Sequence, residues 1–187
     1  INEKVVVYIS KFTNTKVIKA LKDGMMFSLP FLMIGSLFLL IANLPIKSLN
    51  TLVAKCGLAD ICSQVYSSTF SLMALFTVVG ITYSYLKNDK ISTAVNGALT
   101  GLAAFVLLTP SSKVLENGEA VTGVISKDWT AGQGMIGAII VGLIVPPIYC
   151  WFLKKNIRIK MPAGVPEGVT NAFSALIPAF VILTGAA

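Results

Sequence analysis

The stretch WTAGQGMIGAIIVGLIVPPIYCWFL, residues 129–153, contains no charged side chain. A helix rises about 1.5 Å per residue, so roughly 20 residues cross the ~30 Å hydrocarbon core of a bilayer. Backbone groups in lipid must also be hydrogen-bonded within their own segment, which favours helices. Further charge-free runs occupy 24–46, 61–86, 91–112 and 168–187. The pattern predicts an all-α, polytopic membrane protein with about five transmembrane helices, roughly at 24–46, 62–86, 91–110, 131–153 and 168–187.

Composition and charge agree with a membrane protein. Apolar residues make up 55% of the chain and charged residues 12%, which is too little polar material to cover a soluble globule. Most of the basic residues lie in the N-terminal arm or in alternate connections between spans, namely Lys4, Lys11, Lys16, Lys19, Lys22, Lys87, Lys90, Lys154, Lys155, Arg158 and Lys160. By the positive-inside rule this places the N-terminus in the cytoplasm. The net charge of +7 therefore reflects the topology of the chain in the membrane. We expect membrane lipid as a partner and no nucleic acid.

The chain divides into two parts. Residues 1–22 predict a cytoplasmic amphipathic N-terminal arm, in which apolar residues recur at helical spacing opposite lysines and Asn14 or Thr15 is a candidate cap. A solvated arm leading into the first span is the alternative. Residues 23–187 form the membrane part. Because the chain starts at Ile1 and ends at Ala187 without a polar exit from its last span, we expect it to be truncated at its C-terminus.

Small residues recur every four positions in the third and fourth spans. Gly97 and Gly101 share one helix face, as do Gly134, Ala138 and Gly142. Such faces allow close backbone approach to another helix, within the chain or between subunits of a dimer. The second span is rich in Ser and Thr, which either hydrogen-bond neighbouring helices and their own backbone or line a polar path.

Two further features predict local structure. Residues 113–122 alternate around Asn117-Gly118, which predicts a small external β-hairpin. Pro30 and Gly35 favour a bend in the first span, and Pro146-Pro147 predicts an interruption near the end of the fourth.

No chemistry of catalysis is visible in the sequence. The chain has no histidine and no cysteine pair at ligand spacing, so we expect no metal and no cofactor. Cys56 and Cys62 could form an external disulfide or remain unlinked, and Cys150 is a small packing residue. The charged residues lie outside the apolar runs, so no residue is assigned as catalytic and the substrate-binding residues are not identified.

The stretch MPAGVPEGVTNAFSALIP, residues 161–178, resembles the signature of the membrane component, enzyme IIC, of bacterial phosphoenolpyruvate-dependent sugar phosphotransferase systems. The resemblance is to the lactose/cellobiose/diacetylchitobiose family. The first span of this chain is also similar to the first span of that family, at positions 21–24, 30, 34–36 and 43–45. The residues that carry the motif are Met161, Pro162, Gly164, Val165, Pro166, Phe173 and Pro178. They either set the turn into the fifth span or contact sugar.

The resemblance implies that this chain is the N-terminal half of a transporter that imports a disaccharide and phosphorylates it on entry. The phosphoryl donor would be a phosphocysteine on enzyme IIB, charged through enzyme IIA, and the protein would form a homodimer in the bacterial cytoplasmic membrane. In relatives the histidine and glutamate of the sugar site belong to the second half, so this half alone is expected to be inactive. Ala163 and Glu167 depart from the residues common in the family, which leaves the sugar undetermined.

Two other functions remain open on sequence grounds. A secondary transporter would move an unmodified solute, although these spans lack the charged residues that usually bind coupling ions. A membrane module for dimerisation or anchoring would not require five differently patterned spans.

Overall fold

The structure is a computed structural model that describes residues 13–43, 57–115, 119–162 and 164–187. The described part is helical apart from one small sheet. Its helices are α1 (Lys16–Met26), α2 (Leu29–Ala42), α3 (Leu58–Thr69), α4 (Met73–Asn88), α5 (Ala94–Leu108), α6 (Lys127–Thr130), α7 (Met135–Lys154) and α8 (Glu167–Ala186), and its strands are β1 (Ser112–Val114) and β2 (Ala120–Thr122).

The predicted spans are confirmed as helical segments of a polytopic membrane protein. Within the described residues, four helical segments are long and apolar enough to cross a membrane, namely Lys16–Ala42, Leu58–Asn88, Met135–Lys154 and Glu167–Ala186. The third predicted span corresponds to the shorter apolar helix α5. α1 begins at Lys16, within the stretch assigned from sequence to the surface arm, and Thr15 is its N-cap residue. The earlier part of that arm lies outside the described residues.

The first two spans are each broken in the middle. Between α1 and α2 the backbone turns at Phe27 and Ser28, and the Ser28 hydroxyl donates to the Met25 carbonyl at 2.7 Å. The break lies just before Pro30, because proline lacks the N–H that would continue the helix and its ring crowds the preceding turn. In the second span a short 3-10 segment, Phe70–Leu72, separates α3 from α4. The bend predicted from Pro30 is therefore present just before that residue, whereas α2 continues through Gly35 without a break.

The interruption predicted at Pro146-Pro147 is wrong. α7 continues through both prolines to Lys154, and Pro146 is fully buried. Each proline removes one intrahelical hydrogen bond, but the surrounding turns keep theirs, and Pro146 faces the interior of the bundle whereas Pro147 is exposed. Pro178 is likewise accommodated inside α8, where it is buried.

The predicted hairpin is confirmed as a two-stranded antiparallel sheet. Its register pairs Ser112 with Thr122, Lys113 with Val121, and Val114 with Ala120. All three residues of each strand are exposed. The Asn117-Gly118 turn lies outside the described residues.

α4 is the central helix of the bundle. It contacts α1, α5 and α7, while α8 packs on α5 and α7, and α2 packs on α3. Lipid tails are as apolar as the side chains, so such helices associate through close packing and not through the exclusion of water. The core includes Val78 and Leu86 of α4, Phe105 of α5, and Val145 and Tyr149 of α7.

Candidate functional site

An acidic side chain lies between two lysines at the place where three helices meet. The Asp89 carboxylate, just after α4, accepts hydrogen bonds from Nζ of Lys16 and Nζ of Lys154. Lys16 is the first residue of α1 and Lys154 the last residue of α7. The Asp89 side chain is 9% exposed, whereas the lysine side chains are 63% and 57% exposed. This Asp89 bridge therefore ties α1, α4 and α7 together at one end of the bundle.

The two lysines hold Asp89 ionised. The hydrogen bond from Lys154, followed by that from Lys16, lowers the pKa of the Asp89 carboxyl from 3.8 to about 2, and burial opposes the shift only in part. A carboxyl with this pKa keeps its charge throughout the physiological range. Asp89 is consequently a fixed structural anion.

Basic side chains surround the Asp89 bridge. Lys87, Lys90, Lys155 and Arg158 are all exposed, and we call these four residues the basic end of the bundle. Lys87 lies over the Tyr83 ring, with its Nζ 5.5 Å from the ring centroid. The Arg158 Nε donates to the Asn156 side-chain oxygen at 3.0 Å. A surface of this kind attracts anionic partners and anionic lipid.

Just inside the basic end, α5 and α7 are joined by a buried hydrogen bond. The Tyr149 hydroxyl donates to Oγ1 of Thr93 at 3.1 Å, and both side chains are buried. Gly97 lies beside Tyr149 and Leu86, where an added Cβ would collide with Leu86. The absence of a side chain at position 97 lets Leu86 and the Tyr149 ring fill the space against α5.

The small-residue faces predicted from sequence contact helices of the same chain. A Cβ at Gly101 would lie 2.7 Å from Oγ1 of Thr82, and one at Gly142 would lie 3.1 Å from Ile81. Ala138 is fully buried, and Gly134 packs against the Trp129 carbonyl. In the described structure, Gly101 of α5 and Gly142 of α7 therefore pack against α4, whereas Gly134 packs against the segment that precedes α7.

The hydroxyl-rich second span hydrogen-bonds mainly within the bundle. Thr69 donates to the Val65 carbonyl at 2.7 Å, and Thr77 contacts the Met135 sulfur at 3.6 Å. Thr77 and Thr82 are fully buried, and Oγ1 of Thr82 has no hydrogen-bond partner among the described residues. Within the described residues, these two threonines are packed between helices.

The family motif forms the turn that leads into α8. Gly164 has φ +101°, a backbone conformation that residues other than glycine rarely adopt. The Pro166 carbonyl accepts from Val169 and Thr170, which starts the helix. Pro162 and Val165 belong to the same turn, Met161 precedes it, and Ala163 lies outside the described residues. The motif thus divides between this turn, beside the basic end, and α8 itself.

The other two motif residues lie along α8 and differ in exposure. Phe173 is 39% exposed, whereas Pro178 is buried. None of the seven motif residues contacts the Asp89 bridge through a hydrogen bond or an ion pair within the described residues. The sequence therefore identified the turn, but it did not identify the bridge.

Sequence reasoning missed two contacts. In the Asp89 bridge, Asp89 lies 73 positions from Lys16 and 65 positions from Lys154 along the chain. The only sign of this bridge in the sequence was that Asp89 is the single acidic residue in the connection 87–90. The second is a backbone contact between Gly24 of α1 and Gly80 of α4, where a Cβ on either glycine would collide with the other helix. Isolated glycines in two different spans do not indicate in sequence that they meet.

The described residues contain no metal-ligand cluster, and one cavity between their helices has an entirely apolar wall. They contain no group of three or more His, Cys, Asp or Glu side chains that could hold a metal ion. A cavity of about 470 Å³ between α5, α7 and α8 has only aliphatic side chains and glycine in its wall. Such a wall offers no hydrogen-bonding side chain that could orient a sugar. Cys62 and Cys150 are buried free thiols, and Cys56 lies outside the described residues.

Comparison with known proteins gives consistent matches over the chain. The family model "Phosphotransferase system, EIIC" matches residues 22–187. The oligo-beta-mannoside-specific EIIC component of Bacillus subtilis (strain 168) is 36% identical over 93% of this chain and 39% of its own length. The cellobiose-specific EIIC component of Geobacillus stearothermophilus is 34% identical over 98% of this chain and 42% of its own length. This chain thus spans about two fifths of the length of these relatives.

A solved structure has the same fold. It is the crystal structure of the transporter ChbC, the IIC component from the N,N'-diacetylchitobiose-specific phosphotransferase system, with a TM-score of 0.90 and 32% identity. The match covers 98% of this chain and 44% of the solved chain. The helical order, the turn into α8 and these matches show that the chain belongs to the phosphotransferase-system EIIC family of membrane proteins.

Proposed function

We propose that this chain is the first membrane half of a sugar transporter that imports a disaccharide and phosphorylates it on entry. The substrate class is a disaccharide of the cellobiose, lactose or diacetylchitobiose type. The observation that carries the proposal is the structural match to a diacetylchitobiose-specific IIC component, which extends over 98% of this chain. Relatives described as specific for cellobiose and lactose support the same substrate class.

In this proposal the basic end faces the cytoplasm. The positive-inside rule favours that side for Lys87, Lys90, Lys155 and Arg158, and it places the N-terminus there as well. Phosphorylated enzyme IIB, charged through enzyme IIA, is the donor. A phosphocysteine carries negative charge, so exposed cations on this side would favour the encounter with its carrier.

This half supplies a scaffold and not the reacting groups. The chain contains no histidine, and the acid buried at the basic end, Asp89, is fixed as a carboxylate by two lysines. Phosphoryl transfer needs a group that accepts the proton of the attacking hydroxyl. We propose that this group belongs to the second half, so that residues 1–187 alone are inactive.

The homodimer belongs to the same proposal. The small-residue faces of α5 and α7 are used within the chain, whereas α2 leaves large apolar side chains uncovered, including Met33 at 66% and Leu40 at 65% exposure. We propose that this face of α2 lies at the dimer contact. In the full-length protein, Met33→Cys or Leu40→Cys should crosslink two copies, and Ile136→Cys, which is equally exposed on α7, should not. Crosslinking at Ile136 alone would contradict this assignment.

The experiment that tests the function uses the full-length protein in membrane vesicles. Radiolabelled cellobiose, lactose and diacetylchitobiose are offered with phosphoenolpyruvate and the general, IIA and IIB phosphocarriers. We expect uptake of one of these sugars that stops when phosphoenolpyruvate is omitted. Uptake that is indifferent to phosphoenolpyruvate would instead identify a secondary transporter, and no uptake of any sugar would favour an anchoring module.

A further inference from the structure

A second cavity lies beside the hairpin, at the end of the bundle away from the Asp89 bridge. Its volume is about 340 Å³, within the lower range of ligand sites, and it lies between α5, α6 and α7. Trp129, Gln133, Thr109 and Pro110 contribute to its lining. The remaining wall is apolar and includes the Phe105 ring.

The Trp129 side chain is carried by a short helix that is anchored at several points. Oγ of Ser126 caps α6 by accepting from the Asp128 N–H, and Lys113 of the hairpin pairs with Asp128 at 3.2 Å. On the other side, the Thr130 hydroxyl donates to the Ser71 carbonyl at 2.8 Å. These contacts hold α6 between the hairpin and the second span, so Trp129 is presented in a fixed position.

Polar groups in this cavity have unused hydrogen-bonding capacity. The Gln133 side chain is exposed, and neither its amide nor the Trp129 indole N–H makes a hydrogen bond within the described residues. The Thr109 hydroxyl donates to the Phe105 carbonyl at 2.8 Å, which leaves its oxygen free to accept. Trp129 is 43% exposed, so part of its indole ring is open to a ligand.

From this arrangement we infer that the Trp129–Gln133 cavity is a binding subsite for one pyranose ring of an incoming sugar. The C–H face of a pyranose packs on an aromatic ring, while its hydroxyl groups can bond an amide, an indole N–H and a hydroxyl oxygen. An acyl chain would fill the apolar wall but would offer those polar groups no hydrogen-bonding partner. The aliphatic cavity between α5, α7 and α8 offers no comparable groups.

This subsite rests on the proposed function, in which the hairpin end faces the outside and meets the sugar first. It would capture the sugar and would take no part in phosphoryl transfer. Substitutions here should therefore change the concentration of sugar at half-maximal uptake and leave the maximal rate unchanged.

The test measures equilibrium binding of the labelled sugar to the full-length protein without phosphoryl donor, and then uptake in vesicles. Trp129→Ala should weaken binding about tenfold, and Gln133→Ala should weaken it by roughly threefold or more. Trp129→Phe keeps an aromatic face and should lose clearly less than Trp129→Ala. The matched control is Trp151→Ala, which removes an exposed tryptophan near the basic end and should change nothing.

Each outcome decides the inference. Weaker binding in Trp129→Ala and Gln133→Ala, with partial retention in Trp129→Phe, supports the subsite. Unchanged sugar affinity in both alanine variants overturns it, as does a loss of co-purifying phospholipid with sugar affinity intact. The proposed function fails separately, if uptake of the bound sugar does not depend on phosphoenolpyruvate in the unsubstituted protein.

Discussion

At the scale of single residues, Gly24 and Gly80 set the distance between the first two spans. With no side chain at either position, the backbones of α1 and α4 touch, and a Cβ at Gly80 would collide with the Gly24 carbonyl. Backbone cannot move aside as a flexible side chain can. The contact between these two glycines therefore leaves no room for a side chain on either helix.

We expect Gly80→Ala to destabilise the full-length protein by roughly 1–3 kcal/mol, because the added methyl group forces α1 away from α4. The measurement is the midpoint of thermal unfolding in detergent. Gly168→Ala is the matched control, since no atom lies within 4 Å of a Cβ at that exposed position in α8. Equal midpoints for the two variants would contradict the packing described for α1 and α4.

Asp89 gives a prediction on pH. Its folded-state pKa, about 2, lies below the ordinary 3.8, so the Asp89 bridge contributes its full stability above about pH 4 and loses it as pH falls towards 2. The shift corresponds to roughly 2 kcal/mol at most, because the two lysines are largely exposed. Asp89→Asn should therefore be less stable than the unsubstituted protein at pH 7.

The measurement is the unfolding free energy of both proteins in detergent between pH 7 and pH 3. The difference between them should be constant from pH 7 to about pH 5 and shrink below about pH 4. Asp60→Asn, which removes an exposed carboxylate from the first turn of α3, is the control. A difference that grows as the pH falls would contradict the assignment of Asp89 as a fixed anion.

At the scale of elements, the sequence predicted what depends on local pattern. Charge-free runs gave the five helical segments, and alternation around Asn117-Gly118 gave the hairpin, because both follow from residues near one another in the chain. The continuity of α7 through Pro146 was not predictable in this way. It depends on packing by helices that are distant in sequence, and the Asp89 bridge was missed for the same reason.

The small face of α5 gives a prediction at this scale. Gly101→Leu should lower the stability of each subunit by about 1–3 kcal/mol, because its side chain would enter the space held by Thr82 of α4. Unfolding is followed in detergent alongside the fraction of protein in the proposed homodimer. Leu99→Ala, on the exposed side of the same helix, is the control. Loss of the dimer with unchanged subunit stability would instead place Gly101 at a subunit contact.

At the scale of the whole molecule, the two ends of the bundle differ. One end carries the Asp89 bridge, the basic residues and the turn into α8, and the other carries the hairpin and α6. The sequence indicated this polarity through the distribution of its lysines. It did not indicate the Trp129–Gln133 cavity, because the walls of that cavity come from three helices brought together only by folding.

The difference in charge between the two ends also predicts which end of the bundle faces the cytoplasm. In intact cells, a membrane-impermeant thiol reagent should label Lys113→Cys of the hairpin and should not label Lys155→Cys of the basic end. Both positions are exposed, so each cysteine should react once the membrane is permeabilised. The reverse pattern of labelling would place the N-terminus outside and contradict the proposed topology.

The central claim is that this half belongs to a transporter that phosphorylates its sugar during entry. The most direct measurement combines ³²P-labelled phosphoenolpyruvate with ¹⁴C-labelled sugar in vesicles that contain the full-length protein and its phosphocarriers. We predict that the sugar recovered inside carries about one phosphate per molecule, as coupled transfer requires. Internal ¹⁴C-labelled sugar without ³²P would contradict the account.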